Sequence, residues 1–190
     1  VKGVAFANKN KGNHIITSKI EHPAILNTCK NLEENGFEVT YLNVDENGFI
    51  DLQELKNSIK TETILISIMF ANNEIGTIQP IKEISKIAKD SEIIFHTDCV
   101  QAVGNVKIDV NEFGIDLLSM SAHKFYGPKG VGALYVRNGI EFTRIQDGGH
   151  QEKNKRAGTE NVAGIVGLGK AIEIADNNLE NYNSKFLKLR

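Results

Sequence analysis

Cysteine is scarce in this chain: Cys29 and Cys99 are the only two, too few for a disulfide framework. An excess of charge of one sign is also missing. Lys and Arg total 22 against 24 Asp and Glu, a net charge of -2, which leaves no electrostatic footprint for nucleic acid or an anionic membrane surface. No apolar run is long enough to span a bilayer. No signal-peptide pattern opens the sequence. Metal-ligand spacing, internal repeats, low-complexity tracts and clear linkers are absent too. What is left, 41% hydrophobic and 24% charged over 190 residues, is an ordinary soluble composition of a size for one domain or a large piece of one. These features fit a cytoplasmic protein. The ends lack boundary signals: there is no initiator methionine, residues 1–8 read as the last turns of a helix, and residues from about 163 to 190 read as a helix with no stop at Arg190. The expectation is a fragment.

Between the ends, strand-like and helix-like patterns alternate. Residues 15–18 read as a short strand, and Pro23 stands where proline is tolerated at a helix start. That helix is expected to reach about Asn35, with Gly36 as its C-terminal cap. Residues 37–42 alternate like a strand. Asp51 reads as the N-cap of a helix over 52–60, with Glu54 three residues on as in a capping box. The nearly wholly apolar run 64–70 suits a strand buried on both faces. Pro80 opens a helix to about Lys89, and residues 92–97, 115–120 and 132–136 read as further strands. The pattern predicts an α/β fold: a mostly parallel central sheet flanked by helices in three layers.

In open sheets of this kind ligands bind beyond the carboxyl ends of the strands, and there the sequence places its polar residues. His22 follows the first strand. Asn72-Asn73-Glu74 follows the run 64–70. Asp98-Cys99-Val100-Gln101 follows 92–97, and Ser121-Ala122-His123-Lys124 follows 115–120. Lys124 is expected in a turn that Gly127, Pro128 and Gly130 make tight. An amine at a buried strand edge can serve as a nucleophile toward a carbonyl; a plain hairpin lysine is the alternative. An imidazole, an amide, a carboxylate and an amine at four strand ends are the set that pyridoxal phosphate chemistry needs. A lysine condenses with the aldehyde, an acid keeps the pyridine nitrogen protonated, and donors neutralise the phosphate.

The ordered series Asn72-Asn73-Glu74-Ile75-Gly76-Thr77, His96-Thr97-Asp98-Cys99-Val100-Gln101-Ala102, Ser121-Ala122-His123-Lys124 and Arg156-Ala157-Gly158-Thr159-Glu160-Asn161 resembles the class V aminotransferase superfamily. Within it the series is most similar to the cysteine desulfurases of the nitrogen-fixation and iron–sulfur-assembly type. The resemblance runs in order over essentially the whole chain. It implies that residues 1–190 are part of the large cofactor domain of a fold-type I enzyme, with the helix from about 160 leading toward a small domain. It implies pyridoxal 5'-phosphate attached to Lys124, Asp98 paired with the ring nitrogen, and Gln101 and Asn73 near the ring's phenolic oxygen. His22 would stack on the ring and move protons. Ser121 and His123 would bind the phosphate, and Thr159 would reach the phosphate of a partner subunit in a homodimer.

The implied reaction turns L-cysteine into L-alanine and passes sulfur as a persulfide to an iron–sulfur scaffold or another acceptor protein. Cys29 and Cys99 do not match the persulfide cysteine and are expected to be core thiols. That cysteine and the substrate-binding arginine are expected after Arg190, and a glycine-threonine phosphate loop before Val1. Asn154 stands where the family commonly has glycine, a change that a left-handed turn would tolerate. Residue by residue, plainer readings stay open. His22 could be a helix-start residue, Asp98 a cap, Gln101 and Asn73 turn groups, and His123 a satisfied core histidine. A kynureninase-like or phosphoserine-aminotransferase-like reaction, or a non-catalytic remnant, are the functional alternatives. His14, His96 and His150 are expected to be structural.

Overall fold

The computed structural model describes residues 1–189. Six strands form one sheet in the order β2-β1-β3-β4-β5-β6. They are β1 (His14–Ser18), β2 (Glu38–Leu42), β3 (Thr63–Ser67), β4 (Ile94–Asp98), β5 (Leu117–Ser121) and β6 (Gly132–Val136). The first five run parallel, and β6 closes the sheet antiparallel to β5. Helices α1 (Lys2–Ala7), α2 (Pro23–Glu34), α3 (Leu52–Ser58), α4 (Ile81–Asp90) and the long α6 (Val162–Leu189) surround it, with a single helical turn, α5 (Gln151–Asn154), between β6 and α6.

Alternation along each strand makes the two faces. Ile15, Leu65 and Leu117 pack in one apolar cluster with Val4, Ala5, Leu32 and Phe37 from the α1 and α2 side. Their neighbours Ile16, Ile66 and Leu118 pack in the other, with Leu55, Ile81, Ile84, Ala88 and Ala175 from α3, α4 and α6. Successive strand side chains point to opposite faces, and the central strands are covered on both. That is why β1 and β3 are buried along their whole length. The expected three-layer α/β architecture is the observed one.

Differences from the sequence expectations lie at element ends. The run 64–70 ends as a strand at Ser67, but Ile68 N–H still donates to His96 O (3.2 Å) and Phe70 N–H to Asp98 O (2.9 Å). Asp51 does cap α3, accepting from Gln53 N–H at 2.8 Å. Glu54 does not complete a capping box: its carboxylate turns to Asn43, accepting from the side-chain amide at 3.0 Å. Phe37 is not part of β2. It closes α2 in a Schellman motif, in which Phe37 N–H donates to Leu32 O (3.1 Å) and Gly36 N–H to Glu33 O (3.1 Å). The expectation that the last helix has no stop at Arg190 falls on a residue outside the described ones.

Gly36 takes φ +85, and a methyl added there would meet nothing within 4 Å. The requirement is therefore conformational alone. Gly36→Ala is expected to lower unfolding free energy by about 1 kcal/mol, read from the urea midpoint with an unchanged slope.

Candidate active site

Because β1, β3, β4 and β5 are adjacent and parallel, their carboxyl ends meet at one edge of the sheet. His22, Asn73, Asp98, Gln101, Ser121, His123 and Lys124 all lie on the segments that leave those ends. The chain also reverses direction between β1 and β3: β2 is laid down on one side of β1 and β3 on the other. Such a switch point opens a crevice for ligands.

Lys124 stands in a single 3-10 turn, Ala122–Phe125, directly after β5. The turn is closed by Tyr126, a left-handed residue at φ 64, and by the Gly127 N–H donating to Ala122 O at 2.8 Å. Gly127 has no room for a side chain: a methyl would come within 2.8 Å of the Ala122 methyl and 3.2 Å of that of Ala171 on α6. The Lys124 side chain is exposed on this turn. Beside it the Ser121 hydroxyl and His123 Nδ1 are 2.8 Å apart, also exposed. His123 is thus not a core histidine.

Asp98 ends β4 and is 8% exposed. Its Oδ1 accepts from Val100 N–H at 2.9 Å; among the described residues no hydrogen bond reaches Oδ2. Burial pushes the carboxyl above the usual carboxylate range, while the Val100 N–H and the nearby His22 imidazole oppose that rise. Gln101 follows in a turn of helical geometry, where Val103 N–H donates to Cys99 O at 2.9 Å. The turn is not extended into an α-helix.

His22 is the N-cap of α2, its Nδ1 accepting from Ala24 N–H at 3.1 Å, and it is exposed. The helix-start and site readings of His22 are therefore compatible. Asn73 is exposed, and its amide donates to Glu74 Oε1 at 3.0 Å. The neighbouring Asn72 is the architectural member of the pair. Its Oδ1 accepts from Glu74 and Ile75 N–H, and its Nδ2 reaches back to Ile20 O at 2.9 Å. Thr159 is placed apart from the others, exposed on the segment between α5 and α6 rather than at a strand end.

The remaining candidates are inert. His14 bridges Thr63 (2.7 Å) and Thr40 (2.8 Å) across three strands. His96 likewise bridges Ser67 (2.8 Å) and Ser119 (2.8 Å). Burial drives the proton affinity of both down. His150 is exposed and lies 3.2 Å from Asn154 Oδ1. Cys29 and Cys99 are fully buried, and burial raises both thiols, Cys29 to about 12. Neither is a ready thiolate. Asn154 does adopt a left-handed conformation, φ 64, after two other left-handed residues, Glu152 and Lys153. Its side chain accepts from Arg144 at 2.7 Å.

An amine on an exposed turn, a buried carboxyl with no hydrogen bond to Oδ2 among the described residues, and an imidazole and hydroxyl pair thus leave the same end of a parallel sheet. That places the chain among α/β proteins with the ligand crevice of a doubly wound sheet. The chain belongs to the aminotransferase class-V family, whose model matches residues 2–188. It is 64% identical over its whole length to a cysteine desulfurase IscS of Clostridium botulinum, covering 48% of that protein. It is 63% identical to one of Methanosarcina thermophila, covering 47%. Among solved structures, a NifS-like protein superposes with a TM-score of 0.92 at 44% identity over 95% of this chain and 50% of its own. SspA in complex with cysteine superposes at 0.87 with 48% identity, over 90% of this chain and 50% of its own. The chain thus spans about half the length of the relatives it matches.

Gly127→Ala is expected to lower stability by about 1–3 kcal/mol through overpacking against Ala122 and Ala171. Hydrogen exchange should speed up in the 122–127 turn more than in β3 or β4.

Proposed function

We propose that the complete protein carrying this chain is a pyridoxal-phosphate-dependent cysteine desulfurase. The observation that carries this reading is the position of Lys124, on a tight turn one strand over from the buried, half-paired carboxyl of Asp98. The two stand at the end of a sheet whose sequence is 64% identical to cysteine desulfurases. The donor set fits the cofactor's chemistry: an amine for the aldehyde, a carboxyl with Oδ2 available for a ring N–H, and the Ser121 and His123 pair for a phosphate. Bound there, pyridoxal phosphate supplies an electron sink for bonds at the substrate's α-carbon.

The chain's own residues divide the remaining work. Lys124 would hold the aldehyde carbon through its amine and, when free, would serve as a proton base. Asp98 supplies the negative charge that keeps the ring nitrogen protonated, and that cation in turn favours the ionised carboxylate. Gln101 and Asn73 donate toward the phenolic oxygen; Asn73 must leave Glu74 to do so. His22 covers the ring and moves protons. Thr159 serves the phosphate of a partner subunit in a homodimer. The exposed apolar start of α6, with Val162 at 67% and Val166 at 66%, supports an interface on that side.

In the overall reaction the Cβ–S bond of L-cysteine breaks. Its electrons stay with carbon, which takes a proton to become the methyl of alanine, and sulfur leaves at the oxidation level of a persulfide on an attacking thiolate. With Cys29 and Cys99 buried and protonated, that thiolate comes from outside these residues. So do the substrate-binding arginine and the glycine-threonine phosphate loop. Residues 1–190 are then most of a large cofactor domain, with α6 leading toward a small one. Sulfur acceptors, an iron–sulfur scaffold among them, and a cytoplasmic setting complete the proposal. Among the described residues no helix is long and apolar enough to cross a membrane.

Borohydride reduction of the complete protein with pyridoxal phosphate should leave a pyridoxyl mass on the peptide bearing Lys124, and none in Lys124→Ala. Cysteine should yield alanine. Alanine from kynurenine, or glutamate-dependent transamination, would instead place the protein with another class V reaction. His22→Ala should keep the covalent attachment while slowing alanine release about 100-fold. Residues 1–190 expressed alone should give no sulfide or persulfide above background.

A further inference from the structure

Glu21 is a buried acid that the proposed reaction leaves without a task. It is 4% exposed although the adjacent His22 is open to solvent. Its Oε1 accepts two hydrogen bonds, from the Ser18 hydroxyl at 2.8 Å and from Met69 N–H at 2.7 Å. Its Oε2 is buried with no partner among the described residues.

The reason lies in the register of the sheet. β1 pairs with β3 only as far as Thr17 and Ser67. Past that point Lys19 N–H turns away to Leu42 O, and β1 offers no backbone acceptor opposite Met69. The other side of the same segment stays zipped to β4 through Ile68 and Phe70, the latter bonded to Asp98 O. The Glu21 side chain supplies the acceptor that β1 no longer provides. One residue back, Ile20 O is held by Asn72 Nδ2. Both residues that precede His22 are thereby tied to the segment leaving β3, and that segment to the strand that carries Asp98.

We propose that Glu21 is a positioning residue that fixes His22 over the candidate cofactor site by clamping the loop after β1 to the end of β3. The inference rests on the reading of that site given above. The clamp works best with a neutral side chain, because an ionised carboxylate would leave a buried charge on an unpartnered oxygen. Burial pushes the Glu21 carboxyl up to about 8. The Met69 and Ser18 hydrogen bonds oppose that rise, and the nearby Asp98 adds to it. The other titratable group that senses Glu21 is the buried Cys29 thiol, which stays neutral. At neutral pH Glu21 holds a proton and still accepts through Oε1. A carboxamide can make the same two bonds; a thioether of the same length makes neither.

The test compares Glu21→Gln and Glu21→Met in the complete protein, each first shown to unfold cooperatively. The readout independent of cofactor is the His22 imidazole resonance in cofactor-free protein with ring-labelled histidine, assigned by its loss in His22→Gln. It should stay in place in Glu21→Gln and shift or broaden in Glu21→Met. Affinity for pyridoxal phosphate, read from the absorption band of the bound cofactor, should be kept within about twofold by glutamine and weakened about tenfold by methionine, the scale of a lost buried hydrogen bond. Should Glu21→Met not fold, Glu21→Asp, a methylene short of Met69, takes its place with the same expectation.

Stability gives a further readout. A carboxyl raised from 4.5 to about 8 binds in the folded chain a proton that the unfolded chain has lost, so its contribution falls as pH rises through that window. Glu21→Gln should therefore gain stability relative to the parent between pH 5 and pH 8. An unmoved His22 resonance in a folded Glu21→Met protein would overturn the clamp. So would a glutamine variant as impaired as methionine, which would show that ionised charge is what matters. A His22 resonance that responds as expected in a protein that takes no cofactor on Lys124 would sustain the clamp and overturn the cofactor reading alone.

Discussion

The common direction of β1, β3, β4 and β5 is the constraint on which the candidate site depends. Parallel strands must be joined by crossovers, so each strand's carboxyl end is a place where the chain leaves the sheet and backbone groups lose their ladder partners. Four adjacent exits fall on one edge. Side chains complete two of them, after β3 and β4: Glu21 accepts from Met69 N–H, Asn72 from Glu74 and Ile75 N–H, and Asp98 from Val100 N–H. Residues that close the exits and residues that face outward alternate along the same short segments. This explains why a buried Glu21 can precede an exposed His22, and a buried Asn72 an exposed Asn73.

The same sheet keeps its other polar groups inactive. His14 and His96 each sit within a strand, bonded through both ring nitrogens to hydroxyls of neighbouring strands. They act as cross-strand ties, a polar supplement to the apolar clusters on the two faces. Because both nitrogens are engaged and the rings are out of water, protonation is disfavoured and neither histidine is available to acid–base chemistry. The two thiols are silenced by burial alone. The histidines within the strands are thus structural, whereas the candidate site residues stand at or past the strand ends.

That division was partly legible in the sequence. Apolar runs bounded by Gly and Pro announced the strands, and the residues just after them announced the candidate site. Pattern did not reveal which member of each polar pair turns inward. Asn72 and Asn73 are the same residue type one position apart, and only the turn at 72–76 decides between them. Glu54 fitted a capping box by spacing, but Asn43 offered its carboxylate better donors than the helix start did. The burial of Glu21 is not legible either, since nothing local shows that β1 stops opposing β3 after Ser67, before Met69 needs an acceptor. Tyr126 in a left-handed conformation is unreadable from sequence as well, because glycine would be the usual choice there. Asn154 was legible, as asparagine tolerates that conformation better than most residues.

The two acids at these exits share one environment but are buried to different depths. Asp98 and Glu21 are both withdrawn from water, and burial raises both. Asp98 keeps 8% exposure against 4% for Glu21 and has the His22 imidazole nearby. Glu21 has one oxygen saturated by two donors, the other stranded, and Asp98 as a charged neighbour. Two carboxylates close together in low dielectric do not both ionise readily, and Glu21, the more deeply buried of the two and the one whose second oxygen is shut away from water, is the acid that ionises less readily. A proton kept on Glu21 spares Asp98 a like-charged neighbour, so the more deeply buried acid eases the ionisation of the one nearer the surface.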